Sequence, residues 1–230
     1  VNVKVKICGL RDTASLDAAA RHGADFLGFV FFSASPRFIE PPAAGALMAR
    51  APTHVRRVGL FVDPADTDIA DVLAHCPIDM IQLHGQEPPE RVAALRARFA
   101  LPIMKAVGVA ETADLDRART YASVADWLLL DARPRPSDTR PGGNARSFDW
   151  SLLGNFFPAV PWMLAGGLDP NNIGEAVRQS GARAVDVSSG VESAPGIKDP
   201  EKIRAFLACA RDLSLASAHS FAITRRGDPR

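Results

Sequence analysis

The chain is 230 residues long, a size that suits one large domain or two small ones. With 47% apolar and 23% charged residues it has the balance of a globular protein that can bury a full core. The formal net charge is +1, and there is no long basic run apart from Arg225-Arg226. Such a chain has no general attraction for nucleic acid or a membrane surface, so a ligand must be recognised locally. The cysteines, Cys8, Cys76 and Cys209, are odd in number and far apart, and read as reduced thiols of a cytoplasmic protein. The opening VNVKVKICGL enters a strand at once, and no window approaches 18 apolar residues. Neither secretion nor a membrane span is expected.

Short β-branched runs recur along the chain at 3–8, 25–31, 56–62, 79–84, 102–109, 126–131, 161–166 and 184–189. The stretches between them read as helices. Asp12-Thr13 opens the first, Pro88-Pro89 opens the fourth with apolar positions at Val92, Leu95 and Phe99, and Asp169-Pro170 starts the seventh as a cap residue followed by proline. Strands separated by helices must pair in parallel, because each crossover returns the chain to the same end of the sheet. Eight such units predict a single (β/α)8 barrel over residues 1–213; an open doubly wound sheet is the alternative this pattern allows. Residues 214–230, polar and Arg-rich at the end, are expected to form an extension.

In a β/α barrel the chemistry sits where strands end and βα loops begin. Cys8 ends the first run, His84 the fourth and Asp131 the sixth, while Gly166-Gly167 and Ser189-Gly190 follow the seventh and eighth. Residues two apart share a face of a strand. Lys6 therefore shares the face of Cys8, opposite Val3, Val5 and Ile7, and Asp186 lies opposite Val185 and Val187. The aliphatic sets belong against the helices, which points Lys6 and Asp186 inward on neighbouring strands. Interior charge is costly unless paired, so the two are expected to meet beneath the site.

A free cysteine is usually a small buried hydrophobe. Cys8, with Gly9 after it and Lys6 nearby, is instead a candidate base or nucleophile, because a cation favours thiolate. Asp131 has the reading of a solvated loop carboxylate, against that of an acid on the opposite wall from Cys8. The Gly166-Gly167 and Ser189-Gly190 turns offer backbone N–H groups to an anion, and the loops after strands seven and eight are a common phosphate site in such barrels. Arg37 can grip a carboxylate bidentately, and His84 can contact substrate. No HExxH, clustered Cys/His or paired acidic motif is present, so no metal is expected, and without GxGxxG after the first strand a dinucleotide fold is not expected either.

These stretches together resemble the phosphoribosylanthranilate isomerase family of tryptophan biosynthesis. The resemblance runs through KICGLRD (6–12), GFVFFSASPRFI (28–39), VGLFVD (58–63), IQLHGQE (81–87), LLLDA (128–132), GGNARSFDW (142–150), LAGGLDPNNI (164–173) and VDVSSGVESAPGIKDP (185–200). It implies an Amadori rearrangement of N-(5-phosphoribosyl)anthranilate without a cofactor. By similarity Cys8 matches the general base and Asp131 the general acid, Arg37 faces the anthranilate carboxylate, and Asp186 holds a substrate hydroxyl. The Gly166, Gly167, Ser189 and Gly190 turns match the phosphate grip. Asn144 and Ala145 depart from the family's usual Thr/Ser-Gly, which implies a lid that closes differently. A homodimer is compatible with the sequence. A flavin-binding barrel and a non-catalytic sugar-phosphate binder are the competing readings.

Overall fold

β1 (Lys4–Cys8) pairs in parallel with β2 (Phe26–Val30) on one side and β8 (Ala184–Val187) on the other, which closes the sheet. Between them run β3 (Arg56–Phe61), β4 (Met80–Leu83), β5 (Ile103–Val109), β6 (Trp127–Ala132) and β7 (Trp162–Leu164), in sequence order around one barrel. This is a computed structural model describing residues 3–135, 142–143 and 146–224, with 214–224 as helix backbone only. Every strand falls within two residues of its expected run.

The connecting helices are α1 (Thr13–Arg21), α2 (Pro41–Met48), α3 (Asp66–His75), α4 (Pro89–Phe99), α5 (Thr112–Thr120), α6 (Ile173–Ser180) and α7 (Pro200–Thr224). The Asp12 carboxylate accepts the Ser15 amide at 2.9 Å, so α1 starts as a capped helix. Proline opens α4 and α2, where the missing N–H costs nothing.

Two expectations fail here. Among the described residues the sixth crossover has no α-helix, only a 3-10 turn at Trp150–Leu153. The seventh helix does not begin at Asp169-Pro170 but at Ile173. Asp169 Oδ1 accepts the Asn171 and Asn172 amides at 2.6 and 3.1 Å, and Asn172 Oδ1 accepts the Asp169 amide at 2.9 Å. Side chains that bond their own backbone nearby hold a turn and delay the helix.

Alternation divides the buried side chains into two sets. Ile7, Leu27, Phe29, Ile81, Leu83, Leu128, Leu130, Val185 and Val187 pack outward against the helices. Phe26, Val58, Met80, Met104, Leu129, Met163 and Ala184 fill the barrel interior as a floor. Unbranched methionines suit that irregular space, and each fully buried side chain of this size contributes roughly 1.5–3 kcal/mol.

The N-terminal rim is fastened by a repeated clasp. Asp25, Asp79 and Asp126 each precede an even-numbered strand. Their carboxylates accept the amides of Val5, Arg57 and Ile103 at 2.8, 2.8 and 2.9 Å. Their own amides donate to the carbonyls of the same three residues at 2.9, 2.9 and 2.8 Å. Each clasp thus ties the start of an even strand to the odd strand before it.

Candidate active site

Above the apolar floor, the inward residues become polar. Lys6, fully buried, donates to Asp186 Oδ1 at 2.9 Å across the β1–β8 seam, the meeting that strand parity predicts. Burial works against the lysine charge, but Asp186 and Cys8 outweigh it and hold the ammonium above its usual value. One step higher sits Cys8, with Gly28 as its partner across the strand pair. A Cβ on Gly28 would stand 3.0 Å from Cys8 Sγ and 3.1 Å from Lys6 Nζ. The glycine makes the room in which thiol and ammonium meet. Lys6 is therefore placed as the sequence reading requires, yet burial pushes the Cys8 thiol up and the cation does not overcome it.

A second wall comes from β4 and β6. The Gln82 amide nitrogen lies 3.0 Å from His84 Nδ1, which makes Nδ1 the acceptor and leaves the ring proton on Nε2. That nitrogen faces Asp131 Oδ2 at 3.3 Å without an aligned hydrogen bond, and Gln82 Oε1 is also buried without a partner among the described residues. The other Asp131 oxygen accepts the Ala132 amide at 2.8 Å. Glu87, buried, accepts the Gly85 and Asp63 amides and pairs with Lys105 at 3.0 Å, so the turn that follows His84 is held from behind.

Arg37, in the loop after β2, is buried and already has a carboxylate. Its Nε and Nη2 donate to Glu192 Oε1 and Oε2 at 2.7 and 2.9 Å. That bidentate pair takes the side edge of the guanidinium; of the outer edge, Nη2 also donates to the Gly143 carbonyl at 3.4 Å, and Arg37 lines the pocket. Across the mouth, Gly166 and Gly167 turn the chain after β7 with φ of 88° and 64°, a region open to glycine and strained for other residues. Ser189 opens the 3-10 turn after β8.

These elements surround one open pocket of about 700 Å³, lined by Cys8, Arg37, His84, Asp131, Gly166, Gly167, Asp186 and Ser189 among others. The structure thus brings eight of the nine expected site residues to one cavity. Gly190 is the exception: it does not line the pocket, and a side chain there would overlap the Leu168 carbonyl. Its part is to let the turns after β7 and β8 pack together. Sequence reasoning missed the apolar wall of Val30, Phe32, Leu60 and Val62, although its hydrophobic alternation was visible. It also missed Gly142, where a Cβ would lie 2.5 Å from His84 Nε2 and 2.6 Å from Asp131 Oδ2. Asn144 and Ala145, expected to alter the lid, lie outside the described residues. Among the described residues no cluster of three His, Cys, Asp or Glu side chains is arranged to hold a metal, and no helix is long and apolar enough to cross a membrane.

The family model described as N-(5'-phosphoribosyl)anthranilate isomerase matches residues 5–208. The chain belongs to this family. It is 56% identical to the N-(5'-phosphoribosyl)anthranilate isomerase of Paramagnetospirillum magneticum over 209 residues, which cover 91% of this chain and 97% of that one. The isomerase of Paracoccus denitrificans is 55% identical, with 90% and 97% covered. Among solved structures, phosphoribosyl anthranilate isomerase from Thermotoga maritima superposes with a TM-score of 0.81 at 37% identity, covering 91% of this chain and 99% of that one. A family structure in complex with reduced 1-(o-carboxyphenylamino)-1-deoxyribulose 5-phosphate superposes at 0.78 with 36% identity, again over 91% and 99% of the two chains.

Proposed function

We propose that this protein isomerises N-(5'-phosphoribosyl)anthranilate to 1-(2-carboxyphenylamino)-1-deoxyribulose 5-phosphate, with Asp131 as general acid and Cys8 as general base. The observation that carries the reading is one cavity in which a thiol and a carboxyl line separate walls beside two turns suited to phosphate. Asp131 gives a proton to the furanose ring oxygen, and the ring opens to a Schiff base. Cys8 then removes the C2′ proton, and the resulting enolamine tautomerises to the ketose. His84 Nε2, beside Asp131 Oδ2, is suited to steady the carboxylate left behind.

Binding follows from the same walls. The backbone N–H groups of Gly166, Gly167 and Ser189 receive the phosphate, Asp186 a sugar hydroxyl, and the outer edge of Arg37 the anthranilate carboxylate. Phe32, Val62 and Leu60 offer an apolar surface to the aromatic ring. All of these residues come from one chain, so the site needs no second copy. Free thiols at Cys8, Cys76 and Cys209 support a cytoplasmic setting. The family match ends at 208, which supports residues 1–213 as the catalytic barrel and 214–230 as an extension.

The test is loss of anthranilate-adduct fluorescence with Cys8→Ala and Asp131→Asn. Each variant should lower turnover by about 10²–10⁴-fold while remaining folded. Unchanged rates in both would remove the mechanism.

A further inference from the structure

Glu192 and Lys198 are buried, charged and outside the pocket lining. They stand side by side at the open end of a two-stranded hairpin after β8, formed by β9 (Glu192–Ala194) and β10 (Ile197–Lys198), where they are register partners. Lys198 Nζ donates to Glu192 Oε1 at 2.7 Å, to the Ser188 carbonyl at 2.9 Å and to Ser188 Oγ at 3.2 Å. Ser188 Oγ in turn donates to the Cys8 carbonyl at 3.1 Å. The hairpin is thus fixed to the ends of β8 and β1, and Glu192 holds Arg37 from that fixed point.

We propose that Glu192, backed by Lys198, is the positioning residue that sets Arg37 to read a carboxylate on the substrate, and so determines specificity for a carboxylated aryl amine. The proposal rests on the Arg37 role given above and deepens it. Two observations carry it. Glu192 occupies the Nε–Nη2 edge of the guanidinium, so the bidentate edge left to a ligand is Nη1–Nη2, beside which Gly143 lies and takes a longer bond from Nη2 at 3.4 Å on its carbonyl. The buried trio also holds two cations and one anion, which leaves a surplus positive charge beside a pocket whose neighbouring wall is apolar. A planar carboxylate on an aromatic ring satisfies both the edge and the charge. Burial pushes the Glu192 carboxyl up, but Arg37 and Lys198 overcome it and hold it below its usual range, whereas burial holds the Lys198 ammonium below its ordinary value against the pull of Glu192.

Calorimetry on the whole chain, with two ligands, tests the proposal. One is reduced 1-(o-carboxyphenylamino)-1-deoxyribulose 5-phosphate; the other is its phenylamino counterpart, which lacks the carboxyl group. The wild type should prefer the carboxylated ligand by about 100-fold, and Glu192→Gln should cut that preference about tenfold while the affinity for the counterpart stays near its original value. Glu192→Gln leaves Lys198 without its buried anion, so Glu192→Gln/Lys198→Met is measured as well. The double variant restores the original net charge of the trio, and it should show the same reduced preference. A preference that survives in either variant, or equal losses for both ligands, overturns the proposal alone. A wild-type preference near one overturns the Arg37 role and the proposal with it.

Discussion

The two rims of this barrel use the same side chain for opposite ends. At the N-terminal rim Asp25, Asp79 and Asp126 accept backbone amides from the preceding strand, and Asp79 and Asp126 also pair with Arg57 and Arg96. They are about a third exposed: 34% for the Asp79 side chain and 27% for Asp126. At the C-terminal rim Asp131 and Asp186 are only 10% and 9% exposed. There His84 Nε2 and Gln82 Oε1 lie buried without a hydrogen-bond partner among the described residues. Satisfied carboxylates on the wet end fasten strands; on the other end, buried carboxylates and the His84 ring stand at the pocket. The contrast predicts that stability and activity separate by rim, except where a residue lies on the path between them.

Lys6 is such a residue, and its loss should have the largest effect on stability. Lys6→Met leaves Asp186 without its buried cation, which should cost about 3–5 kcal/mol in urea unfolding and remove activity as well. A loss below about 1 kcal/mol would mean that the pair is dispensable and the division by rim is wrong. Gly28→Ala should come next. The added methyl would press on Cys8 Sγ and Lys6 Nζ, so these must give by a few tenths of an ångström. Overpacking of this kind costs about 1–3 kcal/mol, and displacement of the base should lower turnover roughly tenfold. Equal kinetics in the variant would show that the position of the thiol is not critical.

The smallest effect belongs to the other rim. Asp79→Asn keeps an acceptor for the Arg57 amide but loses the ion pair, which is worth about 0.5 kcal/mol at this exposure, with turnover unchanged. Burial raises the Asp79 carboxyl, yet its bonds to Arg57 prevail and hold it below its ordinary value. A depressed folded pKa gives stability that is present above the unfolded value of about 3.9 and lost as pH falls through the folded one. The difference between wild type and Asp79→Asn should therefore shrink in acid. A difference that grows there, or a change in turnover, would erase the contrast between the rims.

Strand alternation made much of this legible. The aliphatic face of β1 and β8 fixed which way Lys6 and Asp186 point, and closure of the barrel made them neighbours. The ends of the runs likewise gave Cys8, His84 and Asp131. Features without a period were not legible. Arg37 and Glu192 are 155 residues apart, one in a loop and one in a hairpin, and nothing local marks them as partners. Asp169-Pro170 imitates a helix start, but the Asn172 side chain competes for the backbone and moves the start to Ile173. Gly190 carries the sign of an anion turn, and its close approach to the Leu168 carbonyl, which the sequence does not show, also requires a glycine.

The Lys6–Asp186 contact joins residues 180 positions apart. Until the eighth strand is made and docked, an ammonium faces the interior of an open sheet with no anion to receive it. Loop closure over such a span is entropically slow, and an unpaired interior charge gives the unfinished sheet little reason to persist. The strand that completes the cylinder delivers, in the same event, the counterion beneath the thiol and the serine turn beside it.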